Sequence, residues 1–380
     1  MVIPPFQSQL PVRISFGDGV ISELEGLLAG RSALVVVEEP VAVIPAVAEL
    51  LNRLADVEVL VKPSGEPTVA QVDEAAALVS RRRPDAIAGI GGGSAIDLAK
   101  AARQSAGQGE PFARFCRGEV EVTPPAIELV AVPTTSGTGA DVSGAAVAFD
   151  PEQGRKIGFA HPLMRAQYSL VDPLLTAGLP RNATVYAAVD ALAQAIDGVI
   201  VSNSNPLSVA MGLEAVRHLT AGVERAAADG SDLDARRSLA LGSLMAGLAM
   251  NLSDCGADHA LGHAIGSVLG LPHGLTVGLV LAEALELNRP ACADRLDRVA
   301  DAMGAPGAGR GDGSRAVRAV RELLARLDFP TAAQAGVSEQ HLDALTELAL
   351  QDYCLTVNPR TWDAGDIRRA YGDALAVTAR

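Results

Sequence analysis

The feature that most narrows the fold is a change of hydrophobic texture near residue 180. Before it, short β-branched runs alternate with helical segments; after it, Ala- and Leu-rich helical periodicity continues to the C-terminus with few β runs. Runs at 33–37 (ALVVV), 57–62 (VEVLVK), 86–90 (AIAGI) and 127–132 (IELVAV) are predicted strands. Between them, 41–54 and 69–83 have helical spacing, and Pro67-Thr68 is a start signal for the second. Continuous apolar strands joined by helices are the pattern of a parallel sheet buried on both faces. Shorter β-like pieces follow at 142–149, 156–159 and 167–171. The boundary is expected at 179–182, where Gly178-Leu179-Pro180-Arg181-Asn182 can end one unit and start a helix. Residues 1–180 therefore read as an α/β domain and 181–380 as an all-α domain. A chain of 380 residues is long enough for two cores.

Composition narrows the partners. The chain has 31 basic and 45 acidic residues, a net charge of −14, which excludes a broad nucleic-acid face. Aromatic residues make up only 3%, with Trp362 the single tryptophan, so base-stacking platforms are disfavoured. Cys116, Cys255, Cys292 and Cys354 are far apart, which fits neither a disulfide framework nor a zinc knuckle and points to a reducing cytoplasm. The start, with Pro4 and Pro5, does not read as a signal peptide. The longest stretch without Asp, Glu, Lys or Arg begins at His259; it holds three histidines and Pro272, marking a functional site and not a membrane span. The segment 304–314 reads as a loop, and Arg81-Arg82-Arg83 as a solvated helix C-terminus.

Three constellations carry chemistry. AGIGGGSAIDLAK (88–100) follows an apolar strand and opens a helix, where free N–H groups and the helix dipole favour an anion. Gly91, Gly92 and Gly93 would let a pyrophosphate approach, and Ser94 adds a hydroxyl. VPTTSGTGADVS (132–143) follows the next strand, and neighbouring strand ends of a parallel sheet open on one crevice. A ligand-free turn is the plain alternative for either loop alone, and much less so for both. Thirdly, His259 and His263 share a helix face, and His273 can fold back after Gly270-Leu271-Pro272. With Asp190 and Gln194, also four apart, they suit a divalent metal; a polar helix–helix contact is the alternative. His161, His218 and His341 have no partners at recognisable spacing.

In order along the chain, Phe16-Gly17, GEPT (65–68), GGGSAIDLAK, PTTSGTGAD, Lys156, Val171-Asp172-Pro173, DALAQAID, HALGHAIG, PHG (272–274) and NPR (358–360) resemble the iron-containing, or group III, alcohol dehydrogenases. That family is related to glycerol dehydrogenase and maleylacetate reductase, and more distantly to dehydroquinate synthase. The resemblance implies a dehydroquinate synthase-like fold: an N-terminal NAD(P)-binding α/β domain, a helical C-terminal domain, and an active site in the cleft between them. It implies that Gly92, Gly93 and Ser94 bind the pyrophosphate with Asp97 close by, and that Thr134, Thr135, Thr138, Ser143 and Lys156 line the rest of the dinucleotide. The family's metal ligands fall at Asp190, Gln194, His259 and His273, and His263 falls near substrate and nicotinamide. His263, as proton relay, and Asp97 are the catalytic candidates.

Two departures stand out. Gln194 occupies a position where the family has histidine, and a carboxamide oxygen is a weaker, harder ligand, so affinity for Fe²⁺ or Zn²⁺ should fall. Thr276 and Val277 replace a common Asn-Ala pair near the substrate. Glu38, ending the strand 33–37, is expected near the adenosine ribose and implies NAD over NADP, with Glu39 as an alternative. The expected activity is that of an NAD(P)-dependent alcohol dehydrogenase or aldehyde reductase acting on a small alcohol or aldehyde. The chain is expected to act as a homodimer or larger, without nucleic-acid or membrane partners. The rivals are a dehydroquinate synthase-like lyase, a maleylacetate reductase, and a non-catalytic nucleotide-binding protein with a decayed metal site.

Overall fold

The computed structural model describes residues 6, 7, 9, 10, 12–305 and 311–377, so part of the 304–314 loop lies outside the described residues. The chain divides into two compact units. Among the described residues, one comprises those of Leu10–Thr135 and Gly139–Gly178, and the other those of Leu179–Arg380 with Ser136–Thr138.

The first unit is an α/β sandwich. Its strands are β1 (Arg13–Phe16), β2 (Ala33–Glu38), β3 (Val57–Lys62), β4 (Ala86–Gly91), β5 (Glu128–Pro133), β6 (Ala145–Asp150), β7 (Arg155–Ala160) and β8 (Tyr168–Val171). Six form a parallel sheet in the order β1-β8-β5-β4-β2-β3, and β6 and β7 form a separate antiparallel pair. The alternation of side chains along β2 feeds two cores: Leu34 and Val36 pack on one face, Val35 and Val37 on the other. Thr68 caps the helix Val69–Arg82 through a reciprocal pairing with Gln71, and Arg83 closes that helix in the left-handed region at φ 49°. The single helix expected over 41–54 is two, Glu39–Ala42 and Pro45–Arg53, because Pro45 holds Ile44 extended and starts a new helix. The short edge strand β1 carries no apolar run and escapes sequence reading.

Strand register brings the two glycine-containing loops together. Gly91 of β4 pairs with Pro133 of β5, and Ile90 with Val37 of β2, so residues 38, 91–94 and 133–135 follow the carboxyl ends of three adjacent strands. The chain leaves β2 toward β3 and β4 toward β5, in opposite directions across the sheet. The gap between β2 and β4 is therefore the switch point at which open α/β sheets bind ligands.

The second unit is built of helices, with no strand among its described residues. Its first helix, Arg181–Ile200, is apolar and long enough to cross a membrane, but 83% of its apolar window is buried within the protein, as befits a core helix. Buried Arg236 pins its start, donating to Thr184 Oγ1 at 2.8 Å and to the Leu179 carbonyl at 3.2 Å. The next helix, Pro206–Ala228, approaches so closely that a Cβ on Gly212 would lie 2.5 Å from the Ala195 carbonyl oxygen. Gly212→Ala should therefore overpack this contact and destabilise the helical unit by about 1–3 kcal/mol. Chemical unfolding curves of the two proteins check this, and coincident curves would contradict the packing.

Candidate functional site

Asp190 and Gln194 lie one turn apart on the buried helix Arg181–Ile200. His259 is in the first turn of Ala257–Leu269. That helix ends at Gly270 in the left-handed region, and after Pro272 His273 opens the helix His273–Gly278. Gly274 permits the return: a Cβ there would sit 2.2 Å from the Tyr186 carbonyl oxygen and 3.1 Å from Asp190 Cβ. Asp190 Oδ1 consequently stands 3.3 Å from His273 Nε2 and 3.6 Å from His259 Nε2.

The ligand atoms of Asp190, His259 and His273 all lie within 4.8 Å of one another. Asp190 Oδ1, Gln194 Oε1 and His259 Nε2 are buried without a hydrogen-bond partner among the described residues. Stranding three such atoms in a core is costly unless something else binds them. Burial works to raise the Asp190 pKa, but the imidazoles of His273 and His259 beside Oδ1 hold the carboxyl well below its ordinary range. The set of one carboxylate, one carboxamide and two imidazoles is a fitting donor set for a divalent cation.

A second layer orients these rings. His259 Nδ1 lies 3.0 Å from Asp197 Oδ2, which also accepts the Gly256 N–H at 2.7 Å. Burial, then the neighbouring Asp258 carboxylate, pushes Asp197 up to about 8. His263 stacks on His273 with ring centroids 5.2 Å apart, and its Nδ1 is 2.8 Å from Asp352 Oδ2. Burial works to raise the Asp352 pKa, but His263 lowers it to about 2. Sequence reading missed Asp197 and Asp352. The spacing of Asp197, seven residues after Asp190 on one helix face, was an available signal; Asp352 had none beyond its place before NPR. Thr276 and Val277 have structural work: the Thr276 hydroxyl donates to the His273 carbonyl, and Val277 backs onto Gly262.

At the glycine loop, Gly91 adopts φ 156°, and a Cβ there would meet Ala95 Cβ at 2.7 Å. Gly92 begins the helix Gly93–Gln108; a Cβ on it meets nothing nearer than Thr135 Cγ2 at 3.4 Å. Gly93 and Ser94, in the first turn, have no intrahelical acceptor for their N–H groups. Glu38 leans over this loop: its carboxylate accepts the Gly92 N–H at 3.2 Å and the Ser94 hydroxyl at 3.4 Å. Buried Lys62 lies 4.0 Å from Glu38, and burial lowers its pKa.

The remaining positions are more dispersed. Asp97 accepts the Val147 N–H at 3.2 Å and faces Lys100 at 3.6 Å; burial pushes it up to about 6 against the pull of Lys100. Lys100 also reaches Ser143 Oγ, and Lys156 pairs with Glu66. Thr134 and Thr135 stay with the α/β unit, whereas Thr138 groups with the helical one. His161, His218 and His341 each make local contacts to nearby chain.

Residues 11–173 match the family model of iron-containing alcohol dehydrogenase, and residues 184–375 match the C-terminal model of the same family. The chain belongs to the iron-containing alcohol dehydrogenase family. It is 32% identical over 314 residues to the probable alcohol dehydrogenase EutG of Escherichia coli (strain K12), covering 82% of this chain and 78% of that protein. It is 33% identical to the 4-hydroxybutyrate dehydrogenase of Cupriavidus necator over 89% of this chain and 91% of the other. The crystal structure of a 1,3-propanediol oxidoreductase superposes with a TM-score of 0.91 at 28% identity, covering 98% of this chain and 100% of that one. The family uses NAD(H) and iron or another divalent metal.

Gly274 tests the geometry of the Asp190, His259 and His273 group. Gly274→Ala should push the helix that carries His273 away from Asp190, and the variant should lose bound divalent metal faster during dialysis against chelator. Retention equal to that of the wild type would show that the close approach does not hold His273 in place.

Proposed function

We propose that the chain is an NAD-dependent oxidoreductase that transfers hydride between the nicotinamide and a small alcohol or aldehyde. The observation that carries this reading is the convergence of stranded buried donors at Asp190, Gln194 and His259 beside His273. That cluster also argues against a decayed site, since a decayed site has no reason to keep three buried polar atoms unsatisfied.

In this reading residues 1–180 bind the dinucleotide and 181–380 hold metal and substrate. Gly92, Gly93 and Ser94 take the pyrophosphate, a fit supported by the unclaimed N–H groups of the first helical turn. Thr134, Thr135, Thr138, Ser143 and Lys156 line the rest, with Asp97 beside them. Glu38 turns from the loop to the ribose hydroxyls as the dinucleotide enters. Asp190, Gln194, His259 and His273 hold a divalent ion, Fe²⁺ or Zn²⁺. When bound, the ion supplies Lewis acidity toward the substrate oxygen, and the nicotinamide supplies the hydride acceptor or donor.

The chain's own part in proton transfer falls to His263. Asp352 Oδ2 holds the proton on Nδ1, which leaves Nε2 to take the hydroxyl proton during oxidation and return it during reduction. Asp352 is thus a positioning residue. The −14 charge supports a reading without a nucleic-acid partner, and the four free cysteines support a cytoplasmic enzyme; the reading includes a homodimer or larger and no membrane partner.

The deciding experiment follows NADH absorbance with a panel of short aldehydes. Aldehyde-dependent NADH oxidation is expected; its absence in metal-loaded protein across the panel would overturn the reading. Exhaustive chelation should abolish activity, and Fe²⁺ or Zn²⁺ should restore it. Gln194→His should slow metal loss to chelator by about tenfold, corresponding to roughly 1.4 kcal/mol. Undiminished activity in demonstrably metal-free protein would remove the ion from the mechanism.

Coenzyme choice is tested at Glu38. The wild type should prefer NADH, because the carboxylate repels a 2′-phosphate. Glu38→Ser should raise the NADPH-to-NADH ratio of kcat/KM by about tenfold, because it removes the repelling carboxylate and leaves Lys62 nearby. An unchanged ratio would separate Glu38 from the ribose.

A further inference from the structure

We infer that His263, Asp352 and Cys354 form a second cation site, selective for a soft divalent ion such as Zn²⁺, beside the Asp190 cluster. One ligand atom from each of the three lies within 4.8 Å of the others, and none of the three is among the ligands of the first cluster. His263 Nδ1 and Asp352 Oδ2 are already 2.8 Å apart. Asp352 caps the short 3-10 helix Tyr353–Val357, and its Oδ1 accepts the Cys354 N–H at 2.9 Å. That hydrogen bond fixes the carboxylate, turning Oδ2 toward His263 on the turn that carries the thiol.

Zinc binds nitrogen and oxygen at about 2.0–2.2 Å and sulfur at about 2.3 Å, so tetrahedral ligands stand roughly 3.5 Å apart. Admitting an ion between His263 and Asp352 needs a separation of less than about 1 Å beyond the present contact. Three protein ligands leave the fourth position to water.

Chemical softness separates the two sites. Asp190, Gln194, His259 and His273 offer two oxygens and two nitrogens but no sulfur, whereas the second site ends in a thiolate, which favours Zn²⁺ over harder ions. The other thiol near the histidines, Cys255, sits with Asp197 and His259 in a fully buried group. His259 Nδ1 is engaged there while its Nε2 faces Asp190, so that group supports the first site.

Occupancy has a functional consequence that rests on the proposed role of His263. A cation on Nδ1 displaces the proton from that atom to Nε2, which can then no longer accept a proton from substrate. Excess zinc should therefore inhibit.

The test is a Co²⁺ titration of the full chain freed of metal. Two equivalents are expected, the second bringing a thiolate-to-cobalt charge-transfer band in the near ultraviolet. Cys354→Ser should lose the band and the second equivalent while keeping the first; Cys255→Ser should keep both. A single equivalent without the band, a band that survives Cys354→Ser, or one lost only with Cys255→Ser would overturn the site. Zinc in excess should inhibit the wild type and not Cys354→Ser. A second equivalent that binds without inhibition would leave the site intact and overturn the proton-relay role of His263, so the two failures are distinguishable.

Discussion

An ionised carboxylate buried in an apolar helix bundle is the constraint on which the rest of this structure depends. Asp190 sits on a core helix, and its Oδ1 has two imidazoles near it and no hydrogen-bond donor of its own. A lone buried charge is costly enough to neutralise itself or disrupt its surroundings, so the bundle must bring compensating groups to that atom. Two loop-to-helix transitions and several close backbone approaches serve that end. Gly274 lets the His273 helix sit against Tyr186, and Gly262 lets the His259 helix sit against Val277. Side chains at these positions would move the imidazoles, not merely loosen the core.

The same economy of placement governs the α/β unit, by a different mechanism. There the glycine loop offers backbone and not a buried carboxylate. Instead, a parallel sheet aligns the carboxyl ends of β2, β4 and β5, and helix Gly93–Gln108 points its N-terminus into the gap. Backbone N–H groups and the helix dipole at that N-terminus favour an anion. Glu38, accepting from Gly92 and Ser94, is held where a competing anion would have to move it. Lys62 beneath it tempers that carboxylate.

Two of the three clustered imidazoles have a carboxyl group behind them: Asp197 for His259 and Asp352 for His263. Such partners fix ring orientation and the position of the proton, and they decide which nitrogen faces the reaction. Asp197 reaches His259 from the helix that carries Asp190, so one helix supplies both a member of the cluster and the brace for another. Asp352 comes from a 3-10 turn near the C-terminus, and with it comes Cys354. A sulfur-containing group thus stands beside a sulfur-free one within one cluster of histidines.

What the sequence determined by itself follows from periodicity along one element. Apolar runs of strand length, the glycine run after one of them, the i, i+4 pairs Asp190/Gln194 and His259/His263, and the change of texture at 180 all depend on neighbours in the chain. So does the family resemblance, because motif order is linear. Only the tertiary structure decided what meets across elements. The break of the 41–54 helix at Pro45 was visible in principle, since proline acts locally. The approach of Asp352 to His263, across 89 residues, was not, because no spacing rule links a 3-10 turn to a helix that packs on it. The hold of Glu38 on the glycine loop, across 54 residues, likewise depends on β2 lying beside β4. Local rules place a side chain on a face; packing, which is cooperative and non-local, chooses what that face will touch.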